Sequence, residues 1–261
     1  MMIRILVTGS IGQLGQTFQE QAIDFPEISF DFKTSKELDV SRPEQLLYAF
    51  RKGQYDFCIN CAAYTNVEEA EKHPDKAFEV NADGVKNLAE VCKEHQTTLI
   101  HLSTDYVFDG EKKGAYTIDD KTNPINAYGK SKLAGEKFIE QILPNHYIIR
   151  TSWLYSKKYG QNFYRTILSK ALEGEDLYIT DAQIGCPTNT VALARFILKD
   201  IVLGNRPFGR YHFTGEKPMT WHEFAKQILE ENKLTDKVKL VLDTNYRTFA
   251  KRPKNSVLSN N

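Results

Sequence analysis

Tyr128 and Lys132 stand four residues apart in the run Tyr128-Gly129-Lys130-Ser131-Lys132. On a helix that spacing puts both side chains on one face. A phenol beside an ammonium suits proton delivery to a carbonyl oxygen. A free tyrosine, with a pKa near ~10, is too weak an acid for efficient transfer at neutral pH. A nearby Lys132 ammonium is expected to stabilise the phenolate and lower that value. Thr104 ends the strand that begins at Leu99, where side chains gather in the crevice of an open α/β sheet. Its hydroxyl could bond a substrate carbonyl and orient it. The Tyr-Lys spacing alone also occurs on ordinary surface helices. Its place, opening the helix before the last strand of the first half, gives it weight.

Reducing a ketone needs a hydride as well as a proton, and a second motif offers a seat for the hydride carrier. Thr8-Gly9-Ser10-Ile11-Gly12-Gln13-Leu14-Gly15 follows an apolar run and opens an amphipathic one. In such a strand–turn–helix, Gly9 permits a tight turn, Gly12 lets a diphosphate come close, and Gly15 lets the helix pack on the sheet. Free N–H groups at the helix start then face the anion. An acid at the end of the second strand would hold an adenosine ribose hydroxyl. The stretch here reads Phe32-Lys33-Thr34-Ser35-Lys36, with Asp31 too early. Lys33, Ser35 or Lys36 could instead meet a 2′-phosphate, or the lysines could simply be solvated. This predicts NADPH as the preferred cofactor with NADH tolerated.

The elements that must hold these residues alternate. Strands are predicted at Ile3–Val7, Ile28–Lys33, Phe57–Cys61, Leu99–Leu102 and Tyr147–Arg150. Helices are predicted at Gln13–Ala22, Pro43–Lys52 (with Ser41 or Asp39 near its start), within Pro74–His95, and at Lys130–Ile142. Such alternation predicts an α/β fold, a Rossmann-type doubly wound parallel sheet covered on both faces, with a smaller C-terminal substrate lobe. Residues 1–150 form the dinucleotide-binding domain. The apolar-faced helix Val191–Leu203 returns residues 189–205 to it. Residues 151–188 and 206–261 form the substrate-binding lobe, with one more helix at Trp221–Glu231 behind a Thr220 cap.

Lys+Arg and Asp+Glu both number 34, so bulk charge offers no argument for nucleic acid or an anionic membrane. No stretch approaches the ~20 apolar residues of a span, and no leader is visible. Cys58 and Cys61 fall in an apolar run and read as buried small hydrophobes. The four cysteines suit a reducing cytoplasm.

Several segments together carry a family resemblance: Gly12-Gln13-Leu14-Gly15, Leu38-Asp39-Val40, Asn60 to Glu68, Ser103 to Gly110, Tyr128 to Lys132, Arg150-Thr151-Ser152-Trp153, and Arg252-Pro253 with Ser256 and Leu258. On these the chain resembles the extended short-chain dehydrogenase/reductase superfamily, and within it the dTDP-4-dehydrorhamnose reductase family. The resemblance implies reduction of the C4 ketone of a dTDP-linked deoxyhexulose. Thr104, Tyr128 and Lys132 would be catalytic. Gly9, Gly12, Gln13, Leu14 and Gly15 would hold the cofactor with Tyr128 and Lys132. Asp39 and Val40 would lie by the adenine, and Ala62, Ala63 and Thr65 along the cofactor. Thr104, Asp105, Tyr106 and Trp153 would contact the sugar. A flat apolar ring at Trp153 suits a deoxysugar face. The partner is then a small nucleotide sugar, and the assembly a homodimer.

Two departures matter. Family members usually continue past the Arg-Pro-x-x-Ser segment into a closing helix, whereas this sequence stops at Asn261; either the sequence is a piece of a longer chain, or, if it is truly this short, a weakened substrate lobe is expected. Some members hold magnesium with glutamates at a dimer contact; Thr17 and Val191 stand there here, so no metal site is expected. Other readings are an epimerase or dehydratase, and a non-catalytic regulatory subunit. Dehydratases of the superfamily carry Asp-Glu after the active-site threonine, whereas Thr104 precedes Asp105-Tyr106.

Overall fold

The computed structural model describes residues 2–261. Five apolar segments form strands: β1 (Ile3–Thr8), β2 (Ile28–Lys33), β3 (Phe57–Asn60), β4 (Thr98–Thr104) and β5 (His146–Thr151). All pair in parallel, in the order β5-β4-β3-β1-β2. The strand Gly209–His212 pairs in parallel with β5 and completes a six-stranded sheet. This corrects the expected division, because part of 206–261 belongs to the sheet. Tyr211 explains it: its ring enters the apolar layer shared by Ile149 and Leu193.

Both sheet faces are covered, which is why the strands are continuous apolar runs. One face packs on Leu14 and Phe18 of helix Gln13–Gln21 and on helix Thr190–Phe196 with its continuation Ile197–Val202. The other packs on helices Pro43–Gly53, Gly84–Glu94 and Ala127–Ile142 through Leu46, Leu88 and Ile139. A separate core joins helices Phe163–Leu172 and Trp221–Glu231 through Ile167, Phe224 and Ile228.

Local details refine the sequence reading. Thr220 closes a capping box with Glu223. Helix Pro43–Gly53 has Arg42 at its start with no side-chain cap; Asp39 bonds the backbone and hydroxyl of Ser41 instead. The long helix from Pro74 widens into a π-type segment at Glu79–Asp83. There Asn81 bonds the backbone N–H and C=O of Tyr64 and the hydroxyl of Ser131, so the widened turn ties the loop after β3 to the next helix.

Helix Ala127–Ile142 is locked to the sheet by a buried ion pair. Glu136 meets Arg150 of β5 at 2.6 and 3.0 Å and also accepts from Ser103 of β4. Removing one partner strands a buried charge. Arg150→Met is therefore expected to cost about 3–5 kcal/mol of folding stability. Lys157→Met, which breaks the exposed pair with Glu231, should cost less than about 1 kcal/mol. Urea denaturation of the two variants checks this; equal losses would contradict the assignment.

Candidate active site

The chain leaves β1 outward to β2 and returns to β3 on the opposite side of β1. Open parallel sheets form their binding crevice at such a reversal, off the C-terminal strand ends. The turn after β1 and the loop after β3 meet there.

The three glycines of the turn have different reasons. Gly9 lies in the left-handed region with φ +63°, and a Cβ there would stand 2.7 Å from the Ala62 backbone nitrogen. At Gly15 a Cβ would stand 2.6 Å from the Gly9 carbonyl oxygen. Both positions are fixed by backbone packing. Gly12 has more room, its nearest neighbour being Gly9 O at 3.2 Å, and it is exposed. It opens helix Gln13–Gln21 with no side-chain cap and no acidic residue in the first turn. The unpaired N–H groups and the positive end of the helix dipole thus face the crevice. That cradle fits a dinucleotide diphosphate.

A cavity lies on each side of Gly12. One, of about 370 Å³, is walled by Gly9, Ser35, Asp39, Val40, Ala62 and Ala63. The other, of about 430 Å³, brings together Gln13, Leu14, Gly15, Ala63 and Thr65 with Thr104, Asp105, Tyr128, Lys132 and Trp153. Of the residues considered for a 2′-phosphate, Ser35 borders the first cavity. Lys33 pairs with Asp31 at 2.9 Å and both line a separate cavity with Tyr48 and Tyr55.

Tyr128 and Lys132 are set by the start of their helix. Asn126 caps it, accepting from Gly129 N at 2.8 Å. Lys132 is fully buried, and its Nζ donates to the Leu102 carbonyl at 2.6 Å and lies 3.2 Å from His101 Nε2. Burial lowers its pKa to about 8, opposed by Glu136 and Cys61. The expected effect on Tyr128 is corrected. Its phenol is pushed up, first by burial, then by Asp105 and Tyr106, with only the Thr104 hydrogen bond pulling down. Lys132 is turned toward β4 and does not supply the expected relief.

Asp105 is buried next to Thr104. Its carboxylate accepts from Thr104 Oγ1 at 2.9 Å and Ser152 Oγ at 3.0 Å. Burial raises its pKa to about 6, against hydrogen bonds from Ser256, Thr104 and Ser152. Tyr106 departs from expectation and borders neither cavity. It sits behind Tyr128, edge-on at 5.9 Å, with its hydroxyl accepting from Arg252. The reason is the short 3-10 turn Asp105–Val107, which sends the phenol into the protein.

Trp153 adopts a left-handed backbone, φ +46°, a costly conformation for a bulky residue that persists where packing enforces it. Its ring stacks on Trp221 at 3.4 Å and 2°. Gly185 makes room, since a Cβ there would stand 2.5 Å from the indole.

Some wall residues escaped the sequence reading. Gly160 and Gln161 border the larger cavity, and Gln13 binds the same segment through Leu154 O and Asn162. The Gly- and Asn-rich composition after Trp153 was the sole signal. Cys61 is half-buried: it packs against the sheet core, as expected, and also borders both cavities, because β3 ends at Asn60. Burial pushes its thiol up, which disfavours the reactive thiolate.

A phosphate cradle at a sheet reversal, joined to a wall bearing threonine, tyrosine and lysine, defines a dinucleotide-dependent oxidoreductase of the short-chain dehydrogenase/reductase kind. The comparisons with known proteins narrow this. The chain belongs to the RmlD substrate binding domain family, whose model matches residues 3–261. It is 37% identical to the dTDP-4-dehydrorhamnose reductase of Aggregatibacter actinomycetemcomitans, over 98% of this chain and 90% of the relative. To the enzyme of that name from Escherichia coli strain K12 it is 36% identical, over 98% and 89%. Among solved structures, the Bacillus anthracis dTDP-4-dehydrorhamnose reductase in complex with NADP matches with TM-score 0.95 and 36% identity, covering 100% of this chain and 92% of that one.

The glycine analysis separates binding from folding. Gly12→Val should fill the cradle and weaken dinucleotide binding about 100-fold, with a melting temperature close to the parent. Gly9→Ala should lower the melting temperature outright, through a strained φ. Fluorescence titration and calorimetry on both variants test this; unweakened binding by Gly12→Val would remove the cradle.

Proposed function

We propose that this chain reduces the C4 ketone of dTDP-4-dehydro-β-L-rhamnose to dTDP-L-rhamnose with NADPH, tolerating NADH. The observation that carries the reading is the continuity of one cavity from the uncapped turn at Gly12 to Thr104, Tyr128 and Lys132. The NADP-bound relative with TM-score 0.95 supports the choice of cofactor.

When bound, NADPH supplies the hydride. The chain supplies the rest. The N–H groups behind Gly12 hold the diphosphate, with Asp39 and Val40 by the adenosine and Ala62, Ala63 and Thr65 along the middle. Thr104 orients the carbonyl, and Tyr128 delivers the proton to the C4 oxygen. The raised phenol of Tyr128 stays protonated at neutral pH, which is the form a proton donor needs before the step. Lys132 lies on the same helix face and holds the cofactor's ribose end. Asp105 and Trp153 hold the sugar, the indole covering its apolar face.

No helix among the described residues is long and apolar enough to cross a membrane, and the free cysteines suit a reducing compartment; the reading places the enzyme in the cytoplasm. A homodimer, the assembly the resemblance implies, is checked by sedimentation.

The test is a panel of nucleotide-linked 4-keto sugars followed by loss of NADPH absorbance. The dTDP-linked 4-dehydrorhamnose should be turned over, and Tyr128→Phe should lose about 10²–10⁴-fold in kcat. An unimpaired Tyr128→Phe enzyme would remove the proton donor. Turnover of the sugar without net loss of NADPH would favour an epimerase.

A further inference from the structure

Thr151 closes β5 directly beside Thr104, its register partner at the end of β4. Both residues border the larger cavity, yet only Thr104 enters the chemistry above.

Their hydroxyls differ in company. Thr104 Oγ1 donates to Asp105 at 2.9 Å and accepts from the Tyr106 N–H at 3.1 Å. The other buried polar side chains of this wall are engaged too: Ser103 with Glu136, Asp105 with Ser152, and Lys132 with the Leu102 carbonyl. Thr151 Oγ1 is shut off from solvent and has no hydrogen-bond partner among the described residues. Buried polar groups are nearly always paired, and one left alone destabilises the fold through its lost hydration. Valine would fill the same space without that penalty. The hydroxyl therefore suits a partner that the chain itself does not supply.

Alternation along β5 gives its side. Ile148 shares a layer with Ile139 of the reactive helix, and Arg150 bonds Glu136 of the same helix. Tyr147 and Ile149 face the opposite layer, with Leu14 and Phe18 of the helix behind the glycine turn. Thr151 continues that second series, on the side of the phosphate cradle. A dinucleotide anchored by its diphosphate at Gly12 lays its nicotinamide end along these strand ends. The residues read as sugar contacts, Asp105 and Trp153, come after the strands have ended.

The polar group on a nicotinamide ring is its carboxamide, with a C=O to accept and an NH₂ to donate. A threonine hydroxyl can meet either. We propose that Thr151 is a cofactor-binding residue whose hydroxyl bonds the nicotinamide carboxamide. One staggered step of χ1 exchanges the hydroxyl with the methyl group, so Oγ1 can swing to the ligand without backbone movement. The contact rests on the cofactor half of the reading above and is independent of the sugar.

Thr151→Val removes the hydroxyl and keeps the shape. The cofactor-free variant is expected to melt at or above the parent, because no bond within the protein is lost. Calorimetric titration should show NADPH bound about tenfold more weakly. Binding of 2′-phospho-ADP-ribose, which lacks the nicotinamide, should be unchanged. Thr151→Ser, which retains the hydroxyl, should bind NADPH like the parent. A Thr151→Val protein that melts well below the parent, or fails to fold, overturns the proposal, since the hydroxyl then has a structural partner. Equal weakening of both nucleotides overturns it as well. So does unchanged NADPH binding with a raised KM for the 4-keto sugar, which would assign the hydroxyl to the substrate. Selective weakening of NADPH in a protein inactive on every 4-keto sugar would defeat the reductase reading and leave this contact standing.

Discussion

The pairing of Glu136 with Arg150 fixes where the reactive helix sits. Tyr128, Lys132 and Glu136 follow one another at four-residue steps, so one stripe of the helix faces the sheet. Anchoring the third member to β5 and to Ser103 of β4 sets the height of the other two. An apolar contact at that depth would tolerate sliding, whereas two charge-assisted bonds to one guanidinium define a position. Charge burial is costly; here it coincides with the element whose placement the chemistry depends on.

The wall facing the substrate follows a second rule, that buried polar groups are satisfied by neighbours rather than water. Thr104, Asp105 and Ser152 form one cluster. Thr8, Asn60, His101 and Lys132 form another. The lysine belongs to the second, which is why the phenol beside the first feels burial more than positive charge. Tail residues complete the frame. Arg252 joins Tyr106 to Glu68, and Glu68 also accepts from the backbone of Phe249 and Ala250. The end of the chain therefore braces the back of Tyr128 through the ring of Tyr106.

Much of this was legible in the sequence because it rests on local pattern. Continuous apolar runs gave the buried strands, and glycine spacing after the first run gave the turn. Threonine, tyrosine and lysine were readable from type and position, and the structure brings them to one wall. What was not legible depends on distant packing. The strand Gly209–His212 is short, with only Tyr211 and His212 buried, and carries no periodic signal. The inward course of Tyr106 follows from a three-residue turn. The inward turn of Lys132 ends on the Leu102 carbonyl and beside His101, thirty and thirty-one positions earlier, which no spacing rule connects to it. Cys61 reads as core and does pack on it, but its place on both cavity walls was hidden because the strand ends one residue before it.

The stacked indoles have a spectroscopic corollary. The chain contains only two tryptophans, and they lie face to face, one after β5 and one opening helix Trp221–Glu231. Two chromophores so close and so nearly parallel share their excited state, and their absorption and emission belong to the couple rather than to either ring. Any slippage of the lobe against the sheet would uncouple them, so the molecule carries an intrinsic optical gauge of that seam without an added label.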